Sequence, residues 1–377
     1  RRDPGFTLYY FGINIGAFWA SILCGLLAAN YGWWAGFGLA GLGMLLGYLV
    51  FVRGRFLFLT PGPSQLPDDV GRPPEPEKLR APVAGPLSRE HLIYIGGVLG
   101  VGFVWLMMQR NELVGALLSL SSILVLGYLA WLMVVKFTRE EHGRLILALI
   151  LIAFSVVFWT LFEQAGSSLN LFAQDHTQLK VEGVYEIEAA QTQSFNSGFI
   201  LLFAPIFAAL WAYLGRINLD PNPALKFGLA LIQVGGAFYF LILGAQFLDE
   251  DYRMPLIFLA LAYMVHTTGE LFLSPVGLSM VTRLSPATVV STVMAVWFLS
   301  SSWAQYLGGF IASLTAVEAV GGQVLDKEES LRAYLGVYSA LGFWTVILGV
   351  GLSLASFWLK RLGHGLAGDK PTSEARI

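Results

Sequence analysis

Of the 377 residues, 56% are hydrophobic and only 13% charged, about half the charge of an ordinary soluble domain. A net charge of -2 argues against nucleic acid as a partner, and a single cysteine, Cys24, leaves no intrachain disulfide to form. The apolar residues come in blocks close to the ~20 residues that a helix needs to cross a ~30 Å hydrocarbon layer, with none of the short alternating segments of a barrel, so the fold class is an all-α polytopic membrane protein housed in a lipid bilayer.

In chain order, run length predicts ten spanning helices: 6–29, 33–52, 91–108, 113–135, 145–172, 195–214, 227–248, 254–280, 292–314 and 333–359. Residues 53–90 break the rhythm. Their Pro, Gly and charge content predicts a solvated, extended linker, and the polar stretch 363–377 reads as a tail. Alternating the loops puts Arg53, Arg55, Arg72, Lys78, Arg80, Arg89, Lys136, Arg139, Arg144, Arg216, Lys226 and Arg283 on one side with both ends. The other side keeps Arg110, Lys180, Arg253, Lys327 and Arg332 among many acids. By the positive-inside rule the linker and both ends are expected in the cytoplasm.

Ionisable groups inside a span are costly and mark cavities, partners or ion paths. Glu163, in FWTLFEQAGSSLN, follows roughly five apolar turns and is expected within a helix that continues to Phe172. Trp159 lies one turn earlier on the same face. Glu270, in HTTGELFLSPVGLS, sits between Gly269, which permits close helix approach, and Pro275, which is expected to kink the helix. For both acids the competing reading is a structural carboxyl bonded to a neighbouring helix. His266 reads as a packed, hydrogen-bonded ring rather than a proton relay. Asn14 and Asn196 are neutral amides that would by themselves serve as helix-to-helix glue, and Trp297, Ser300 and Ser301 are pocket candidates. No metal-ligand spacing, phosphate loop or nucleophile elbow occurs, which makes an intramembrane enzyme the weakest class. Scattered carboxylates, amides and aromatics suit a zwitterionic solute.

The strings FTLYYFGINIGAF, GWWAGFGLAGLGMLLG, FWTLFEQAGSSLNLF, QSFNSGFILLFAPIF, GELFLSPVGLSMVTRLSP and VWFLSSSWAQYLGG, in this order, resemble the proton-dependent oligopeptide transporters, a branch of the major facilitator superfamily. The resemblance runs from Phe6 to about Gly309. It implies that 1–52 is the remainder of an N-terminal bundle (its fifth and sixth core helices), 91–137 the two extra helices of prokaryotic members, and 138–362 the C-terminal six-helix bundle, with 363–377 a cytoplasmic tail. On that alignment about ten of an expected fourteen helices are present. The first four core helices, the ExxERF motif and the lysine of the fourth helix have no counterpart, and this stretch alone is expected not to transport.

What the resemblance implies for function is proton-coupled import of di- and tripeptides across a bacterial inner membrane by alternating access, with a proton gradient as the energy source, no cofactor and a monomeric protein. Glu163 would act in proton coupling and outer gating, and Glu270 would receive the peptide amino terminus. Asn14 and Asn196 would hold the peptide backbone and amino end, and Trp159, Trp297 and Ser301 would line the pocket. Transport of amino acids, nitrate or another small solute is the alternative within the family. A membrane scaffold without transport is the alternative from another class.

Overall fold

A computed structural model of the chain describes residues 2–58, 75–181, 185–317, 319–320 and 323–363. Among these, nine helices are long and apolar enough to cross a membrane. They belong to α1 (Arg2–Tyr31), α2 (Trp33–Phe58), α4 (Arg89–Met108), α5 (Asn111–Val135), α6 (Arg139–Phe162), α8 (Ser194–Arg216), α9 (Pro223–Gly244), α10 (Leu256–Leu284) and α12 (Lys327–Leu362). A further helix, α11 (Val290–Leu314), has the length of a span but carries Ser300, Ser301, Ser302 and Gln305 at its middle. Short helices α3 (Pro76–Arg80) and α7 (Ser168–His176) complete the set. Each of the ten predicted spans coincides with a long helix over most of its length, with the ends shifted by a few residues.

Several helix starts follow from capping chemistry. Thr138 and Glu141 form a reciprocal capping box at α6, and Ser88 with His91 does the same at α4. Asn222 accepts from the Leu225 N–H just before Pro223 opens α9, and Asp326 accepts from Glu328 and Glu329 at the head of α12.

The sequence reading needs three corrections. The expected linker is not wholly extended: α2 runs on to Phe58, and α3 precedes an antiparallel hairpin of Pro82–Ala84 with Leu87–Ser88. Residues 59–74 of the linker and 364–377 of the tail lie outside the described residues. The expected helix 145–172 is broken: α6 stops at Phe162, a 3-10 turn occupies Glu163–Gly166, and α7 resumes at Ser168. Ser167, at φ -131 and ψ -101, makes the change of direction. The helix containing Glu270 begins at Leu256 rather than Met254, because Met254–Pro255 instead pairs in parallel with Thr177–Gln178. The Pro275 kink concerns a side chain outside the described residues.

The chain divides into two compact units, 37–121 and the rest. In the first, α4 buries none of its residues and exposes Val98, Leu99, Val101, Phe103 and Trp105, an apolar surface suited to lipid. In the second, α6, α9, α10 and α12 share a core around Leu151, Phe158, Phe227, Leu231, Val234, Phe238 and Tyr338.

Glycines set how closely α9 and α12 approach. A Cβ at Gly228 would lie 2.3 Å from Ser353 Oγ and 2.8 Å from the Gly349 carbonyl, and one at Gly235 would lie 3.0 Å from the Gly342 carbonyl. The two contacts recur two turns apart, forming a small-residue seam. Near the basic end of α9, the buried Lys226 pairs with Asp220 at 2.8 Å and sits 4.3 Å above the Trp211 ring, whose edge in turn meets Phe272 of α10. At the opposite end, His176 donates through Nδ1 to the Tyr252 carbonyl and accepts at Nε2 from the Ser330 hydroxyl, fastening α7 to the head of α12.

Candidate functional site

The site is built where α8 faces α10. Asn196 lies in the first turn of α8, and its Nδ2 donates to Glu270 Oε2 at 3.1 Å. The same nitrogen donates to Thr267 Oγ1 at 3.1 Å. Two residues singled out from sequence, 74 positions apart, thus form one polar pair. Gly269 makes the placement possible. A Cβ there would lie 3.2 Å from the Ala230 carbonyl of α9 and 3.4 Å from the Phe158 ring, so α10 is seated against α9 and α6 beside Glu270.

Glu163 forms the junction between α6 and the 3-10 turn and is half-buried. Its neighbour Phe162 lies ring to ring 6.2 Å from His266, one turn before Glu270 on α10. Among the described residues no ion pair engages either carboxylate. Carboxylates inside a membrane span mark a place for a cation, a polar partner or an ion path.

The turn that aims Glu163 is fixed by its neighbour. Gln164 is fully buried. Its Nε2 donates to the carbonyls of Thr160 at 2.9 Å and Gly308 of α11 at 3.3 Å, and its Oε1 accepts from Ser168 Oγ at 2.7 Å. Tyr338 of α12 donates to that same Ser168 oxygen at 3.1 Å. Tyr263 of α10 reaches the Ala165 carbonyl at 3.5 Å. Three helices therefore hold the break.

The remaining candidates are distributed around these acids. Trp159 is half-buried, edge-on to Phe158 and Phe162 at 5.3 and 5.2 Å. Trp297 lies against Gly277, where a Cβ would come within 2.3 Å of the indole, so this ring packs α11 onto α10. Ser300 donates to the Trp297 carbonyl at 2.6 Å and lies 3.3 Å from Ser155 of α6, whereas Ser301 is exposed. Asn14 is buried on α1, which packs against the helix of Asn196: Gln191 donates to the Ile22 carbonyl at 2.9 Å, and Gly198 meets the Phe18 ring. His266 donates to the Val234 carbonyl at 3.1 Å between Phe238 and Phe162, the packed role expected of it. The sequence reading did not single out Gln164, Thr267, Ser155, Ser168 or Tyr338. The first two had a signal, since each is polar and adjoins a candidate acid in an otherwise apolar stretch.

A bundle of membrane helices whose middle holds hydrogen-bonded amides and acids is the architecture of a solute carrier of the major facilitator type. The POT family model matches residues 1–325, and the chain belongs to that family. It is 32% identical over 376 residues to dipeptide and tripeptide permease A of Pectobacterium carotovorum subsp. carotovorum (strain PC1), covering 100% of this chain and 70% of that protein. Against dipeptide and tripeptide permease A of Escherichia coli (strain K12) the identity is 30% over 382 residues, again 100% and 70%. A crystal structure of peptide transporter POT in complex with sulfate superposes with a TM-score of 0.73 at 30% identity, covering 96% of this chain and 69% of the other.

Proposed function

We propose that the protein carries di- and tripeptides across the bacterial inner membrane together with protons, by alternating access. The observation that carries this reading is the Asn196–Glu270 pair inside a membrane bundle of a peptide-transporter family. Relatives at 30–32% identity are named dipeptide and tripeptide permeases, and a structure of a POT variant in complex with alafosfalin superposes at a TM-score of 0.70.

In this reading Glu270 receives the cationic amino terminus, and Asn196 and Asn14 accept and donate along the peptide's polar end. Trp159, Trp297 and Ser301 bound the space for side chains of varied size. Glu163 takes up and releases the proton, because it lies at a joint between helical segments that other helices hold. The gradient is the energy source and no cofactor takes part. The protein works as a monomer, with the Lys- and Arg-rich loops inside the cell.

The test uses protein reconstituted in liposomes, with any residues encoded upstream of Arg1 included. An inward proton gradient is expected to drive accumulation of a labelled dipeptide. Glu163→Gln is expected to abolish accumulation, and Glu270→Ala to remove peptide affinity while the protein still elutes as a folded species. A wild type that neither accumulates nor binds dipeptide, yet takes up amino acids or nitrate, overturns the peptide reading.

A further inference from the structure

Thr267 is fully buried on α10, one turn before Glu270. Its hydroxyl donates to the Tyr263 carbonyl at 2.7 Å, which commits its only proton. Towards Asn196 the Thr267 oxygen can therefore only accept. Glu270 Oε2 likewise accepts on this side. Both acceptors converge at 3.1 Å on one atom, Asn196 Nδ2, which has two protons to give. The orientation of the amide follows from this count: nitrogen inward to Thr267 and Glu270, oxygen Oδ1 left over.

We infer that Thr267 strengthens the site's preference for a cationic group, by holding the Asn196 amide so that Oδ1 and the Glu270 carboxylate together face it. The inference rests on the peptide-transport reading and adds a residue to it. Thr267 touches no ligand; it is a positioning residue that acts through Asn196. With a carboxylate and an amide oxygen on offer, an ammonium group finds two acceptors and an anion finds none. Rotating the amide by half a turn would offer N–H donors instead and turn an oxygen towards both Thr267 and Glu270. The hydroxyl penalises that rotation by about one buried hydrogen bond beyond what Glu270 imposes, and the loss of an orienting bond of this size corresponds to roughly tenfold in relative affinity.

The experiment compares binding of alanylalanine, which has a free ammonium, with N-acetyl-alanylalanine, which lacks one, in detergent-solubilised wild type, Thr267→Val, Thr267→Ser and Glu270→Ala. Wild type is expected to prefer the free dipeptide. Thr267→Val, which keeps the shape and removes the hydroxyl, is expected to narrow that preference about tenfold, and Thr267→Ser to preserve it. A Val variant with the wild-type ratio overturns the inference, as does a Ser variant that narrows the ratio equally. Equal loss of affinity for both peptides in the Val variant assigns Thr267 to packing and also overturns it. Absence of Glu270-dependent dipeptide binding in the wild type overturns the inference together with the peptide-transport reading, which separates the two failures.

Discussion

Replacing Gln164 with leucine probes the break that places Glu163. The side chain is fully buried and takes part in three close hydrogen bonds, to the carbonyls of Thr160 and Gly308 and from the Ser168 hydroxyl. Hydrogen bonds between membrane helices average about 0.6 kcal/mol, and buried ones in general about 1 kcal/mol, so the three together contribute about 2–3 kcal/mol. Unfolding entropy of about 2.1 cal/mol/K per residue over 377 residues is about 0.8 kcal/mol/K, which converts the loss into a fall in Tm of about 2–4 °C. The assay is thermal unfolding in detergent of wild type, Gln164→Leu, Tyr338→Phe and the double variant. Gln164 and Tyr338 meet at one Ser168 oxygen, so the double variant is expected to lose less than the sum of the singles. Strict additivity, or a Gln164→Leu variant as stable as wild type, would refute the view that this network fixes the turn. Transport is expected to fall with Tm in Gln164→Leu, because Glu163 loses the neighbour that sets its direction.

The α9–α12 seam gives a paired test. Gly228→Ala sets a Cβ 2.8 Å from the Gly349 carbonyl and is expected to cost about 1–3 kcal/mol, while Gly236→Ala on the same helix, with nothing within 4 Å, is expected to be neutral or slightly stabilising by Tm. At Lys226, removing the half-exposed Asp220 leaves a buried cation, so Asp220→Ala is expected to lower Tm more than Lys226→Met. In the loop before α10, burial acts to raise the Asp249 carboxyl. The Arg253 N–H, the Gln178 amide and the Asp251 N–H outweigh it and hold the group below its ordinary value. A depressed carboxyl contributes stability above its unfolded value and loses it as pH falls. The protection of amides 249–253, referenced to the intrinsic exchange rate at each pH, is therefore expected to fall below about pH 4, and Asp249→Asn to remove that fall.

Helix existence was legible because apolar run length is a coarse quantity that tertiary packing seldom overrides in a membrane. The same quantity misread 145–172. A break whose buried Gln164 and Ser168 are bonded internally needs no polar interruption long enough to register as a gap, and EQAG is only four residues. The two acids could be named from their expense in hydrocarbon, and the family strings supplied Asn196. The pairing of Asn196 with Glu270 could not be named from sequence, because it depends on how α8 and α10 lie together. For Trp297 the sequence offered an aromatic beside serines as a pocket wall, and could not show that one edge of the ring also fills the space that Gly277 leaves. Thr267 lacks any sequence signature of its own, since its role comes from where its one proton goes.

Glu270 lies 14 residues from Leu256 and 14 from Leu284, at the midpoint of α10. Gly269 presses that midpoint onto α9 and α6. A rod held at its centre is a lever with equal arms, here about 21 Å each. A tilt of about 10° would carry each tip about 3.6 Å, in opposite directions, while the carboxylate at the fulcrum stays almost still. Under the alternating-access reading proposed above, opening one face of the membrane and closing the other would then be a single motion, with Glu270 almost at rest while it happens.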